Sequence, residues 1–262
     1  MCSTQRDDIP KSVLARALTI LTSFEAGVAE MTLADLTRHT GLPKPTVHRL
    51  VTELSSWGVL ERTSGGIRLG MRLFELGQLA PAQRDLREAA LPYLEDLRAA
   101  TRATVHLAVL DGLEVVYIEK LTGRGGPELP SRVGGRMPTY CTAVGKALLA
   151  YSVPEVTHSV VDAGLVRRTP RTIVMPGLLS RELANARRRG VAFEQEESTP
   201  GVVCAACPVL DEDSQPVAGV SVSGWSGRLN LRRVAPAVRT ATLGLSRHLL
   251  GGTALSNTAH AR

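Results

Sequence analysis

The chain has few aromatic residues, 3% of 262, and only four cysteines and four lysines. Each scarcity excludes something. So little aromatic surface argues against a stacking platform for single-stranded nucleic acid. Four cysteines in this length do not make a disulfide scaffold, and a reducing cytoplasm is the expected compartment. No apolar run approaches the ~20 residues of a membrane helix, and the polar amino terminus lacks an apolar signal core. The composition is that of a soluble globular protein, 44% hydrophobic and 21% charged, long enough for one large or two smaller cores.

What is present in excess is arginine. Lysine occurs at 11, 44, 120 and 146 and arginine supplies the other 27 of 31 bases, against 25 acids, a formal +6. Arginine suits bidentate recognition of phosphate or carboxylate. The surplus is unevenly placed. Between Leu36 and Arg72 six bases meet two acids, a local +4, whereas the first 35 residues carry −2. A stretch at 194–213 holds six acids and no base.

The amino-terminal pattern explains where the positive charge collects. Val13, Leu14, Ala17, Leu18, Leu21 and Phe24 form the apolar face of a helix over 11–24. Thr32 and Asp35 make a capping box for a short helix ending near His39, and Gly41 permits the turn after it. Pro43 opens a third helix with Val47, Leu50, Val51, Leu54 and Trp57 on one stripe, stopped by Gly58. Residues 59–62 and 67–69 read as a hairpin around Thr63-Ser64-Gly65-Gly66. Helix, helix, tight turn, helix, hairpin is the order of a winged helix-turn-helix, whose third helix enters the major groove. The bases gather on that turn, helix and wing, as phosphate contact requires. The candidate DNA contacts are Arg38, Lys44, Pro45, Thr46, His48, Arg49, Arg62 and Arg68.

A linker helix is expected from Met71 to about Leu79, before Pro81, and a helix from Asp85 to Ala100. The period then changes. Strands are expected at 105–110 and 113–121 around an Asp111-Gly112 turn, and at 191–195, 202–210 and 217–225. Helices are expected at 142–151, capped by Thr142, at 178–189 and at 231–250. This is an α+β domain with a mostly antiparallel sheet. The domain plan is 9–70 winged helix-turn-helix, 71–84 linker helix, 85–250 second domain and 251–262 a disordered tail.

Enzyme signatures fail. Gly145-Lys146 lacks the other positions of a phosphate loop, and Gly219–Ser223 misses a nucleophile elbow. The histidines have no metal-ligand spacing, so neither metal nor cofactor is expected. Cys204-Ala205-Ala206-Cys207 resembles a redox or zinc pair, but residues three apart on a strand face opposite ways. The same alternation places the Ser221 and Ser223 hydroxyls on one sheet face. With the N–H groups at the start of the 142–151 helix they suggest a small anion-accepting pocket.

The stretches TLADLTRHTGLPKPTVHRLVTELSSWGVLER, GGRMPTYCTAVGKALLA and RGVAFEQEESTPGVVCAACPVLDEDSQPVAGVSVSG resemble the IclR family of bacterial transcriptional regulators. The resemblance spans roughly residues 10–250. It implies a winged-helix reader, a linker helix and a GAF-like effector domain, binding operator DNA as a homodimer or a dimer of dimers. It also implies effector contacts at Met137, Tyr140, Cys141, Thr142, Ala143, Val144, Glu194, Cys204, Ser221 and Ser223, and small organic or aromatic acids as effectors. Two positions depart from the family pattern. Pro45 stands where Ser or Thr is usual and offers no hydroxyl to DNA, and Glu194 stands where Asp is usual.

Overall fold

The computed structural model describes residues 12–24 and 27–259, with side chains through Gly251. It divides into two units, Met1–Arg84 and Asp85–Arg262.

In the first unit, α1 (Val13–Thr22), α2 (Leu33–Thr40) and α3 (Lys44–Ser56) precede the hairpin β1 (Leu60–Arg62) and β2 (Ile67–Leu69) and the helix α4 (Met71–Gln78). The capping box is formed: the Asp35 N–H donates to Thr32 Oγ1, and the Thr32 N–H donates to Asp35 Oδ2. Gly41 closes α2 at φ 66°, a left-handed conformation that a side chain would strain. Ile20, Leu36, Leu42, Val47, Leu50, Val51, Leu60 and Ile67 build one core. Two expectations fail. On α1 the fully buried residue is Ile20, while Val13, Leu14 and Leu18 lie more than half exposed. Trp57 caps α3 and is 74% exposed. Met31 adds a bridge to Ile67 at the edge of the wing.

The second unit is a six-stranded antiparallel sheet in the order β5-β4-β3-β8-β7-β6. Its strands are β3 (Thr104–Asp111), β4 (Glu114–Leu121), β5 (Arg136–Pro138), β6 (Ala192–Gln195), β7 (Val202–Leu210) and β8 (Pro216–Trp225). One face packs on α5 (Pro81–Thr101) and α9 (Leu231–Ala259) through Leu94, Leu97, Val238 and Leu245 against Leu107, Ala205, Val220 and Val222. The other packs on α6 (Ala143–Leu149), α7 (Pro154–Asp162) and α8 (Pro176–Arg189) through Val144, Leu148, Val160 and Leu183. Each such Leu or Val side chain taken from water contributes ~1.5–3 kcal/mol, which fixes the register of both faces.

The helix expected from Asp85 begins at Pro81, since proline fits a helix's first turn and stops only what precedes it. The β3–β4 turn is Gly112-Leu113 with Asp111 paired to Glu114, because Gly112 takes φ 62°. β5 and α7 had no periodic signal strong enough to mark them. The backbone of α9 runs on to Ala259, where a disordered tail was expected from 251: Ala254 and Leu255 favour helix and propagation is cooperative. Residues 260–262 of that expected tail lie outside the described residues.

Candidate DNA interface and effector cavity

α3 buries Val47, Leu50 and Val51 and turns the intervening positions outward. Lys44, Pro45, His48 and Arg49 are exposed and Thr46 is half-buried. Pro45 lies in the first turn, where its missing N–H costs no helical hydrogen bond. Among the described residues, Lys44, His48 and Arg49 form no ion pair. The other candidate bases are engaged. Arg38 pairs with Asp35 at 2.6 Å and Arg68 with Glu61 at 2.7 Å, and Arg62 donates to Thr52 Oγ1 at 3.1 Å. The charges not offset by an acid are therefore those of Lys44 and Arg49 on α3 and of Arg62 on the wing.

In the second unit the sheet register assembles a polar wall. Glu194 of β6 pairs with Cys204 of β7, Cys204 with Ser223 of β8, and His106 of β3 with Ser221. All five line one small cavity. Met137, Thr142, Ala143 and Val144 close it from β5 and the start of α6. Eight of the ten expected effector residues are thus brought together. Tyr140 and Cys141 are not: the Tyr140 hydroxyl donates to the Val166 carbonyl at 2.8 Å, and Cys141 is wholly buried in the apolar layer. Their neighbours face the cavity because the chain turns into α6 at Thr142, whose Oγ1 accepts from Gly145 N–H at 3.2 Å.

The sequence reading missed His106, Tyr117, Ser131, Ser198, Thr199 and Val202, along with Leu129 and Pro130. His106 and Tyr117 could have been found by alternation along β3 and β4. The loop residues carry no such period. Their placement is tertiary: Lys120 Nζ donates to the carbonyls of Ser131 at 2.5 Å and Leu129 at 3.4 Å, holding that segment at the cavity. Ser131 Oγ and His106 Nε2 then share a 2.8 Å hydrogen bond.

Only part of the acidic stretch is surface: Glu212 and Asp213 are exposed, whereas Glu194 and Glu197 are buried. Glu194 is fully buried, and its Oε1 accepts the N–H groups of Glu197 at 2.6 Å and Ser198 at 3.1 Å. Glu197 meets the buried Lys146 at 2.6 Å. Asp211 accepts from the N–H groups of Asp213 and Gln215 to close a turn. Gly145-Lys146 likewise has a packing role: any side chain at Gly145 would fall on the Thr139 backbone.

Burial governs the titration of the lining. Desolvation pushes the Glu194 carboxyl above its ordinary 4.5, against the hydrogen bonds that favour its charge. It also lowers His106 to about 3, with the Lys120 charge adding to the effect, so the imidazole is neutral. The Cys204 thiol is raised well above its usual value by burial and the Glu194 charge, and Cys141 and Cys207 rise to about 12. Activated cysteines shift the other way. Cys207 lies in the opposite layer from Cys204, so strand alternation separates the pair as expected. No group of three metal-ligating side chains occurs among the described residues. No described helix is long and apolar enough to cross a membrane.

The sequence matches the IclR helix-turn-helix domain over residues 13–64 and the bacterial transcriptional regulator IclR C-terminal domain over residues 78–247. It is 35% identical over 240 residues to the HTH-type transcriptional regulator XynR of Escherichia coli, covering 89% of this chain and 95% of that protein. The transcriptional repressor IclR of the same organism is 31% identical over 226 residues, 84% of this chain and 82% of the relative. Among solved structures, an IclR homolog complexed with 4-hydroxybenzoate from Microbacterium hydrocarbonoxydans superposes with TM-score 0.85 at 33% identity, covering 91% of this chain and 99% of that one. The Thermotoga maritima IclR gives TM-score 0.75 at 29% identity over 90% and 98%.

Proposed function

The chain belongs to the IclR family of transcriptional regulators and is a regulator rather than an enzyme; from that premise we propose how it binds DNA and responds to a ligand. α3 enters the major groove of an operator duplex, with Lys44, Thr46, His48 and Arg49 toward bases and phosphates. Arg62 and Arg68 on the wing, and Arg38 at the end of α2, meet the backbone. The observation that carries this reading is the unpaired charge of Lys44 and Arg49 beside His48, opposite the buried face of α3. Pro45 gives the entering turn shape and no hydrogen bond.

The cavity between the β3–β8–β7–β6 face and α6 receives a small-molecule effector, as its Microbacterium relative's complex with 4-hydroxybenzoate supports. Binding favours one arrangement of paired readers and so alters operator affinity. The regulator works in the cytoplasm as a homodimer or a dimer of dimers. Leu14 and Leu18 on α1, and Met71, Phe74 and Leu79 on and after α4, expose apolar surface that a second copy would cover.

Footprinting of the region upstream of its own gene tests the reading. A protected near-palindrome whose affinity falls steeply with salt is expected. Binding without sequence preference would refute it.

A further inference from the structure

The sheet carries a second cavity, on the side away from the one that Glu194 and Cys204 line. Alternation along β6 sends Glu194 to one face and Phe193 and Gln195 to the other, and on β7 it parts Cys204 from Val203. Phe193, Gln195 and Val203 meet Leu229 and Leu231 around an open cavity of about 510 Å³, a size that small-molecule sites have. Phe193, Leu229 and Leu231 also belong to the apolar layer beneath α9, so the cavity has an apolar floor.

Its polar rim consists of Arg189, Gln195, Ser226, Asn230 and Arg232, and no acid lines it. The rim offers donors. Asn230 Oδ1 accepts the Arg233 N–H at 3.1 Å, which leaves the Asn230 NH2 group to donate. Arg189 is held by Glu182 at 2.8 Å and by the Phe193 ring, 5.2 Å from its guanidinium carbon, and keeps further N–H groups. Gln195, Ser226 and Arg232 are exposed, and their side chains have no hydrogen-bond or ion-pair partner among the described residues. The surroundings add positive charge. Residues 226–239 contain four arginines and no acid, and the Arg239 guanidinium packs against Gly190, next to Arg189.

Convergent donors and an unanswered arginine above an apolar floor are the complement of an oxyanion carried on an apolar ring. An inorganic anion would leave the floor uncovered, and a neutral ring would leave Arg232 without a counter-charge. We propose that this cavity is a second ligand site, for a small carboxylate or phosphate ester with an aromatic body, and that Arg232 is its anchoring cation. It lies across β6 and β7 from the effector cavity, so its failure would leave that assignment standing.

Isothermal titration of the full chain with 2-naphthoate, 2-naphthyl phosphate and the neutral 2-naphthalenemethanol tests it. At least one anion is expected to bind with Kd below ~1 mM and about tenfold tighter than the alcohol. Arg232→Gln, a change at an exposed position, should weaken that anion about tenfold. Gln195→Trp, which fills the cavity from its rim, should weaken it by exclusion. The proposal is overturned if neither anion binds or if the alcohol binds as tightly as both. It is equally overturned if either variant keeps full anion affinity, which would place the ligand elsewhere, the effector cavity included.

Discussion

Lys146 Nζ sits 2.6 Å from Glu197 Oε1, with 1% and 9% of the two side chains exposed. This buried ion pair joins α6 to the loop after β6, and the Glu197 N–H donates in turn to Glu194 Oε1. The pair therefore holds the loop that holds the acid of the cavity. Removing one partner strands the other charge in an apolar layer, which costs more than the pair itself contributes.

Lys146→Met should accordingly destabilise the second unit by ~3–5 kcal/mol, and Lys146→Met with Glu197→Leu by much less. Denaturant unfolding followed by Trp225 fluorescence checks this. The exposed Trp57 is first replaced by Phe so that one tryptophan reports. Equal losses in the single and double variants would show that the ion pair is not what the site depends on.

Glu194 should make stability fall as pH rises. Its folded pKa lies above the ordinary 4.5 because of burial, so between those values the native state binds more protons than the unfolded chain. Its stabilising contribution is complete below about 4.5 and is lost as pH climbs through the folded value. Glu194→Gln should gain on the native protein as pH increases over that window, in unfolding midpoints taken at matched ionic strength. A pH-independent difference between them would rule out a titrating Glu194.

His106 should act in the opposite sense. Burial, then the Lys120 charge, depresses it from 6.5 to about 3, so the unfolded chain binds the extra proton between those values. Its contribution is complete above about 6.5 and is lost on acidification toward 3, with a limiting slope of ~1.4 kcal/mol per pH unit. His106→Gln should flatten that acid limb. NMR titration of the imidazole would show no protonation at pH 5 if burial is as complete as the structure has it.

On DNA, Lys44→Ala should weaken binding about equally across sequences and reduce the salt slope by ~1. Arg49→Ala should cost ~1–3 kcal/mol at the operator and relax its specificity if it reads a base edge. Binding isotherms on operator and scrambled duplexes, at three salt concentrations, separate the two roles. An Arg49→Ala protein that loses neither affinity nor specificity would remove α3 from the interface.

The sequence by itself determined the reader. Its helices are short and locally specified: the Thr32–Asp35 capping box, the Gly41 turn and the 3.6-residue stripe of Val47, Leu50 and Val51 are contacts within or between adjacent turns. Strand alternation likewise separated Cys204 from Cys207 and put Ser221 with Ser223, because period 2 is a property of the chain alone. Only the tertiary structure decided the cavity's chemistry. His106 and Glu194 are 88 positions apart in sequence and reach one cavity through a sheet whose order, β5-β4-β3-β8-β7-β6, no local signal encodes. Burial, too, is collective. Within the acid-rich stretch Glu194 is a buried carboxylate, Glu197 half of a buried ion pair and Asp211 the acceptor of a turn, since the neighbours are supplied by α6, β7 and the loop at Thr169 and Thr172. Charge is read from composition, but whether water reaches it depends on contacts that only folding makes.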